Sequence, residues 1–310
     1  MPIDPKLRAH LDSLPPAPPL DQVTPDLLRS RIAQIIAGLN FPDLPQVPAR
    51  DAHIPGPAGN IPVRIYQPET FGPAPVIVHF HGGGWVVGSL DTHDPFCRYL
   101  SDLSRAVIIS VDYRLAPEHK FPAAIEDAEA ATRWALAHAA ELGGNPRHVF
   151  VSGDSAGGNL ATAVAQLLPK KAGLRGQILL FPVTDTVPAN YPSYVKNAKG
   201  YGLERANMEW FLDQYLDSPA SRKDLRAAPI LAKALAKLPP ALIMTGEYDV
   251  LRDEGMLYSV RLREAGVDVT HFHFSDMHHN FPVWPLTVAE FPQSYEAREK
   301  IAGWVRSMSL

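Results

Sequence analysis

VFVSGDSAGGN, residues Val149–Asn159, is the stretch that decides how this chain folds. An apolar run, Val149–Ser152, enters Gly153-Asp154-Ser155-Ala156-Gly157, and a helical stretch, Ala156–Leu168, leaves it. Strand, tight turn, helix is the setting in which G-x-S-x-G forms a nucleophile elbow. A serine at the tip of so sharp a turn sits in strained backbone, so its neighbours must carry almost no side chain. The helix N-terminus behind it offers free N–H groups and the positive end of a dipole, both suited to an anionic intermediate. An ordinary glycine-rich strand-to-helix turn would share the glycines but would need no serine at the tip.

Outward from that stretch, short β-branched runs recur at Ile61–Tyr66, Val76–Phe80, Val107–Val111, Ile178–Val183, Ala241–Thr245 and Val267–Phe274. Helical patterns fall between or after them at Asp94–Arg105, Ala123–Leu142, Asp253–Ala265 and Val288–Ser307. Buried-looking strands alternating with helices predict an α/β fold with a largely parallel sheet covered on both faces. One interval breaks the rhythm. Nearly sixty residues separate Val183 from Ala241, with a helical pattern at Arg205–Leu216 that places Met208, Phe211, Leu212 and Tyr215 on one face. That is too long for a simple crossover and predicts a helical excursion above the sheet. Residues 1–50 stand apart, with helical patterns at Pro5–Leu14 and Pro25–Leu39 on either side of PPAPPL. The second has Thr24 as its N-cap, Pro25 at the first helical position and an apolar face of Leu28, Ile32, Ile35 and Ile36, which must pack on something downstream.

Composition excludes several classes of function. The chain has 310 residues, 46% of them hydrophobic and 20% charged, which is a globular and not a disordered composition. A formal charge of -4 supplies no basic footprint for nucleic acid. The single Cys97 precludes an internal disulfide. The first residues, MPIDPKLRAHLDSLPP, lack the apolar core of a secretory signal, and no apolar run reaches membrane-spanning length. A cytoplasmic protein without membrane insertion is therefore expected. Proline is the oddity: 31 residues, one in ten, concentrated ahead of the first glycine-rich loop.

A second glycine loop, VIVHFHGGGW (Val76–Trp85), also follows a buried-type strand. It lacks the Lys-Ser/Thr pair and the spacing of a phosphate loop, and beside a serine elbow it reads as the donor of an oxyanion hole. A serine hydroxyl needs a base, and the base an orienting acid, in the chain order Ser, Asp or Glu, His. Gly246-Glu247-Tyr248-Asp249 follows one late strand, and Asp276-Met277-His278-His279-Asn280 follows the next. Asp185 is the alternative acid, whereas Asp253 and Glu254 fit the start of a helix. The pairs His79/His81 and His271/His273 each share a strand face, but no metal-ligand spacing accompanies them and no metal is expected.

Taken together, HGGGW (81–85), DYRLAPEHKFPAAIED (112–127), GDSAGGN (153–159), YDVLRDEG (248–255) and MHHNF (277–281) resemble the hormone-sensitive-lipase-like carboxylesterases of the α/β-hydrolase fold, in their bacterial family IV branch. The resemblance spans residues 50–310. It implies a mostly parallel eight-stranded sheet, with Ser155 as nucleophile, Asp249 as acid and His279 as base. It also implies an oxyanion hole from the backbone N–H groups of Gly83, Gly84 and Ala156. Residues 1–50 would form an arm of a helical cap, completed by an insertion at about 185–225 within a catalytic domain of 51–310. Where the family has His-Gly-Phe, this chain has His279-Asn280-Phe281, and asparagine tolerates left-handed backbone better than most residues. His278 remains the alternative base.

The expected activity is hydrolysis of short- to medium-chain carboxylic esters through an acyl-enzyme, with no cofactor, by a monomer or homodimer. Trp85, Met208 and Phe211 are candidates for the wall of the acyl pocket. The alternatives are a non-catalytic module binding a small apolar ligand and an amidase using the same triad.

Overall fold

The structure, a computed structural model, describes residues 3–13, 22–39, 41, 43–283 and 291–310. Among these the strands form one eight-stranded sheet in the order β1-β2-β4-β3-β5-β6-β7-β8. The strands are β1 (Ala49–Gly56), β2 (Gly59–Tyr66), β3 (Ala74–Phe80), β4 (Val107–Val111), β5 (Gly144–Asp154), β6 (Leu174–Leu180), β7 (Ala241–Tyr248) and β8 (Val269–His278). β1 and β2 form an antiparallel hairpin, β2 lies antiparallel to β4, and every later pairing is parallel. The central strands are the apolar runs of the sequence because they are covered on both faces, which leaves no position for alternation. β3 and β4 accordingly carry Val76, Ile77, Val78, Ile108 and Ile109 with no exposed surface.

β1 is the strand that the residues do not announce. Its sequence, ARDAHIPG, is polar, contains a proline and buries only Ile54, as an edge strand does. Its pairing with β2 brings it into the sheet.

Helices α1 (Pro5–Ser13) and α2 (Pro25–Gly38) precede the sheet, and α3 (Leu90–Ser104), α4 (Ala123–His138), α5 (Ala156–Leu167), α8 (Arg252–Glu264) and α9 (Pro292–Met308) cover it. Leu14, and the first residues of the helix expected from Val288, lie outside the described residues. α3 begins four residues before the sequence pattern does. Ser89 and Thr92 form a reciprocal capping box there, and Pro95 is carried inside the helix. In α2 the Thr24 hydroxyl caps the Leu27 N–H at 3.2 Å, as its position requires. The face of α2 finds its partner: Leu28 and Ile32 pack on the core that contains Trp85 and Val86. Leu7 and Leu11 of α1 join the other core, with Met277 and Phe281. The long interval between β6 and β7 carries α6 (Ser193–Lys196) and α7 (Arg205–Tyr215) with short 3-10 turns.

Phe150 on β5 is fully buried and meets Trp304 of α9 edge-on, at 5.8 Å between ring centres. Phe150→Ala should therefore lower unfolding free energy by ~3–5 kcal/mol in chemical denaturation. A loss below ~1 kcal/mol would show that this layer can collapse around the gap.

Candidate active site

Ser155 stands between β5 and α5 at φ 53°, ψ -117°, backbone geometry that a residue with a side chain rarely adopts. The glycines around it are steric necessities. A Cβ at Gly153 would fall on the Gly157 carbonyl, and one at Gly157 on the carbonyls of Phe80 and His81. The turn is held by Ser155 N–H donating to Leu180 O at 2.9 Å, while Ser155 O accepts from Asn159 and Val183 N–H.

The contact at Gly157 sets the end of β3, and with it the loop Gly82–Gly88, against the elbow. Gly83, Gly84, Trp85 and Gly88 all have positive φ, at 113°, 60°, 60° and 96°. Asp154, fully buried beside Ser155, accepts a hydrogen bond from Gly82 N–H at 3.0 Å. Val86 and Val87 N–H fold back onto Gly83 O. Among the described residues the N–H groups of Gly83 and Gly84 have no acceptor, and Ala156, first residue of α5, has none within its helix. His81 and His79 lie beneath this loop. Burial pushes their imidazoles down to about 3 and about 4, so both are neutral near pH 7. Tyr113 stacks on His81 and donates to its carbonyl at 2.8 Å.

His279 and Asp249 meet: Nδ1 lies 2.8 Å from Oδ2, and Oδ1 accepts from Leu251 N–H at 2.9 Å. Both are buried, and Phe181 packs edge-on against the imidazole. Asn280 sits at φ 70°, the left-handed geometry that fits asparagine in place of glycine. The alternatives do not form such a pair. His278 is buried against His10 of α1, with its pKa pushed down by burial to about 3. Asp185 accepts from Thr186 and Val187 N–H, Asn190 Nδ2 and the Tyr191 hydroxyl. His271 and His273 share the Thr245 hydroxyl, and among the described residues no cluster could hold a metal ion.

Of the three candidate pocket residues, only Phe211 faces the site. It is half-buried and lies over Gly84, where an added Cβ would strike its ring. Trp85 has no exposed surface and stacks on Tyr215 at 4.3 Å, and Met208 is buried in the same core. The Trp85–Tyr215 stack joins the glycine loop to α7, and Met208 is buried within that helix's inner face.

Two residues without a motif signal, Ser193 and Asn197, brace the segment that carries Asp249. Asn197 donates to the carbonyls of both Glu247 and Asp249 at 2.9 Å, and Ser193 N–H donates to Asp253 at 2.7 Å. Glu254 is fully buried and accepts from Thr184 N–H, Asp185 N–H and the Tyr194 hydroxyl. Only the spacing of a turn beyond Val183 could have hinted at these bonds, because their partners lie fifty or more residues away in sequence.

The model of an α/β-hydrolase-fold family matches residues 77–283. The carboxylic ester hydrolase LipN of Mycobacterium tuberculosis is 44% identical over 82% of this chain and 69% of its own. The chain belongs to the hormone-sensitive-lipase-like carboxylesterases of the α/β-hydrolase fold. The ethyl acetate hydrolase of Pseudomonas putida is 40% identical, over 75% of this esterase and 73% of that protein. A thermostable esterase from Pseudomonas putida ECU1011 superposes with a TM-score of 0.91 at 34% identity, covering 99% and 97% of the two chains.

The buried Glu254 carries a pH signature. Burial pushes its pKa up to about 8, against the hydrogen bonds from Thr184 and Asp185 N–H that lower it. Between the ordinary 4.5 and about 8 the folded state therefore holds a proton that the unfolded chain has released. That contribution to stability is present below 4.5 and is lost as pH rises towards 8. Glu254→Gln can satisfy the same partners, its carbonyl facing the two N–H groups and its amide the tyrosine. The difference in unfolding free energy, wild type minus variant, should fall by up to ~1.4 kcal/mol per pH unit across that window. Parallel curves would remove this assignment.

Proposed function

We propose that Ser155, His279 and Asp249 form the triad of this carboxylesterase, with Gly83, Gly84 and Ala156 N–H as its oxyanion hole. One observation carries the proposal. Gly157 packs on the end of β3, so a strained serine and two glycines at positive φ with free N–H groups stand side by side. In the mechanism, Nε2 of His279 takes the Ser155 proton as Oγ attacks the ester carbonyl. The Asp249 carboxylate accepts from Nδ1–H, which fixes the tautomer and stabilises the imidazolium that forms. The three N–H groups receive the charge that develops on the carbonyl oxygen. His279 then returns its proton to the leaving alcohol, and water repeats the sequence on the acyl-serine.

Short- to medium-chain acyl groups are the proposed substrates. Phe211 over Gly84 supports this reading, because its ring closes off space next to the oxyanion loop. The cap would consist of residues 1–50 and an insertion near 185–225. Among the described residues no helix is long and apolar enough to cross a membrane. A cytoplasmic monomer or homodimer is our reading of its setting. The mechanism needs no cofactor. A purely ligand-binding role would leave the His279–Asp249 bond and the strained serine without use.

Ser155→Ala should fold and lose activity on p-nitrophenyl butyrate by roughly 10⁶-fold; retention of more than a few per cent would end the nucleophile assignment. Gly83→Val, which meets the Val87 carbonyl at a positive φ, should lose on the order of 10²-fold or more. In a C2 to C16 ester series, Phe211→Ala should move the optimum to longer acyl chains; an unchanged optimum would take Phe211 out of the pocket. Matched ester and amide substrates separate the esterase from an amidase.

A further inference from the structure

The oxyanion loop is strained, and part of what holds it comes from outside the hydrolase sheet. Four of the six residues Gly83–Gly88 have positive φ, and one of them is Trp85, which has a side chain. Such geometry costs of order 1–3 kcal/mol at a residue with a side chain and persists only when its surroundings impose it. The loop's own bonds, Val86 and Val87 N–H to Gly83 O, close a turn but do not fix where the turn lies.

Arg29, in the middle of α2, reaches it. Nε donates to Val86 O at 2.8 Å and Nη2 to Ala116 O at 2.9 Å. Ala116 N–H in turn donates to Trp85 O at 2.8 Å, so the guanidinium holds the loop at Val86 directly and at Trp85 through one residue, Ala116. Its outer edge is engaged as a fork by Glu118, at 2.8 and 2.7 Å. The hydrogen bond from Arg29 holds the Glu118 carboxyl down at about 2, so the pair stays charged at any working pH. A planar fork with five donors fits this arrangement, and a lysine could supply only a single point of attachment.

We propose that Arg29 is a positioning residue for the oxyanion hole, through which the N-terminal arm sets the aim of the Gly83 and Gly84 N–H groups. This rests on the reading of that loop as the oxyanion hole. The arm is thereby more than a cover: it contributes to the chemical step without touching substrate.

Arg29→Met tests this with p-nitrophenyl butyrate and a boronic acid that forms a tetrahedral serine adduct. Misaimed donors weaken the transition state and its mimic but not the ground state. We expect kcat to fall about 10- to 100-fold, KM to change less than about threefold, and boronate affinity to fall in parallel with kcat. Arg29→Lys should recover part of both. Unchanged kcat, or a fall in kcat with boronate affinity intact, would overturn the proposal. Should Arg29→Met not fold, Glu118→Gln, which loosens the fork and leaves both carbonyls in place, should show the same split in smaller measure, and unchanged kinetics would overturn it. Gly83→Val separates the two readings. If it is inactive while Arg29→Met is normal, only the role of Arg29 fails; if Gly83→Val is itself normal, the oxyanion loop fails first.

Discussion

The first turn of α5 lies against the end of β3 so closely that a Cβ on Gly157 would occupy the carbonyls of Phe80 and His81. The other features of the site depend on this approach. It forces glycine on both sides of Ser155, it bends the serine to φ 53°, and it brings the Gly82–Gly88 loop beside the serine. Asp154 then joins the two pieces through the Gly82 N–H, near the neutral buried imidazoles of His79 and His81. In a site shielded from water, donors fixed in this way need no rearrangement as charge develops, which is the largest single contribution in acyl transfer.

The segments outside the sheet serve the same geometry. Asn197 and Ser193, from the interval between β6 and β7, hold the loop that carries Asp249, and Glu254 ties α8 back to the segment after β6 at Thr184. Trp85 stacks on Tyr215 of α7, and Arg29 of α2 bonds Val86. The loop that carries Asp249 and the Gly82–Gly88 loop are thus both braced by chain outside the sheet. Buried polar contacts of this kind contribute specificity of position rather than large net stability.

The sheet was legible in the sequence because buried parallel strands are apolar throughout, and Val107–Val111 appears in the structure with the same limits. The elbow was legible because steric necessity leaves glycines behind. β1 was not, since an edge strand buries a single isoleucine and reads as loop. The start of α3 was missed for a local reason: Pro95 resembles a first helical residue, whereas the capping box at Ser89 sets the true start. That Trp85 and Met208 are fully buried was not legible, because an apolar side chain near a site does not reveal which way it faces. The braces were invisible because Arg29 and Asn197 act on partners 50 or more residues away with nothing local to mark them, and Glu254, though inside a motif, reads only as a helix start.

The central claim is that the strained serine and the strained glycine loop act as one acyl-transfer centre. A crystal structure of the protein inactivated with a p-nitrophenyl phosphonate measures it most directly. The account predicts phosphorus bonded to Ser155 Oγ, with one phosphonyl oxygen about 2.7–3.1 Å from the N–H groups of Gly83, Gly84 and Ala156. An adduct on another residue, or a phosphonyl oxygen turned away from those three groups, would contradict it.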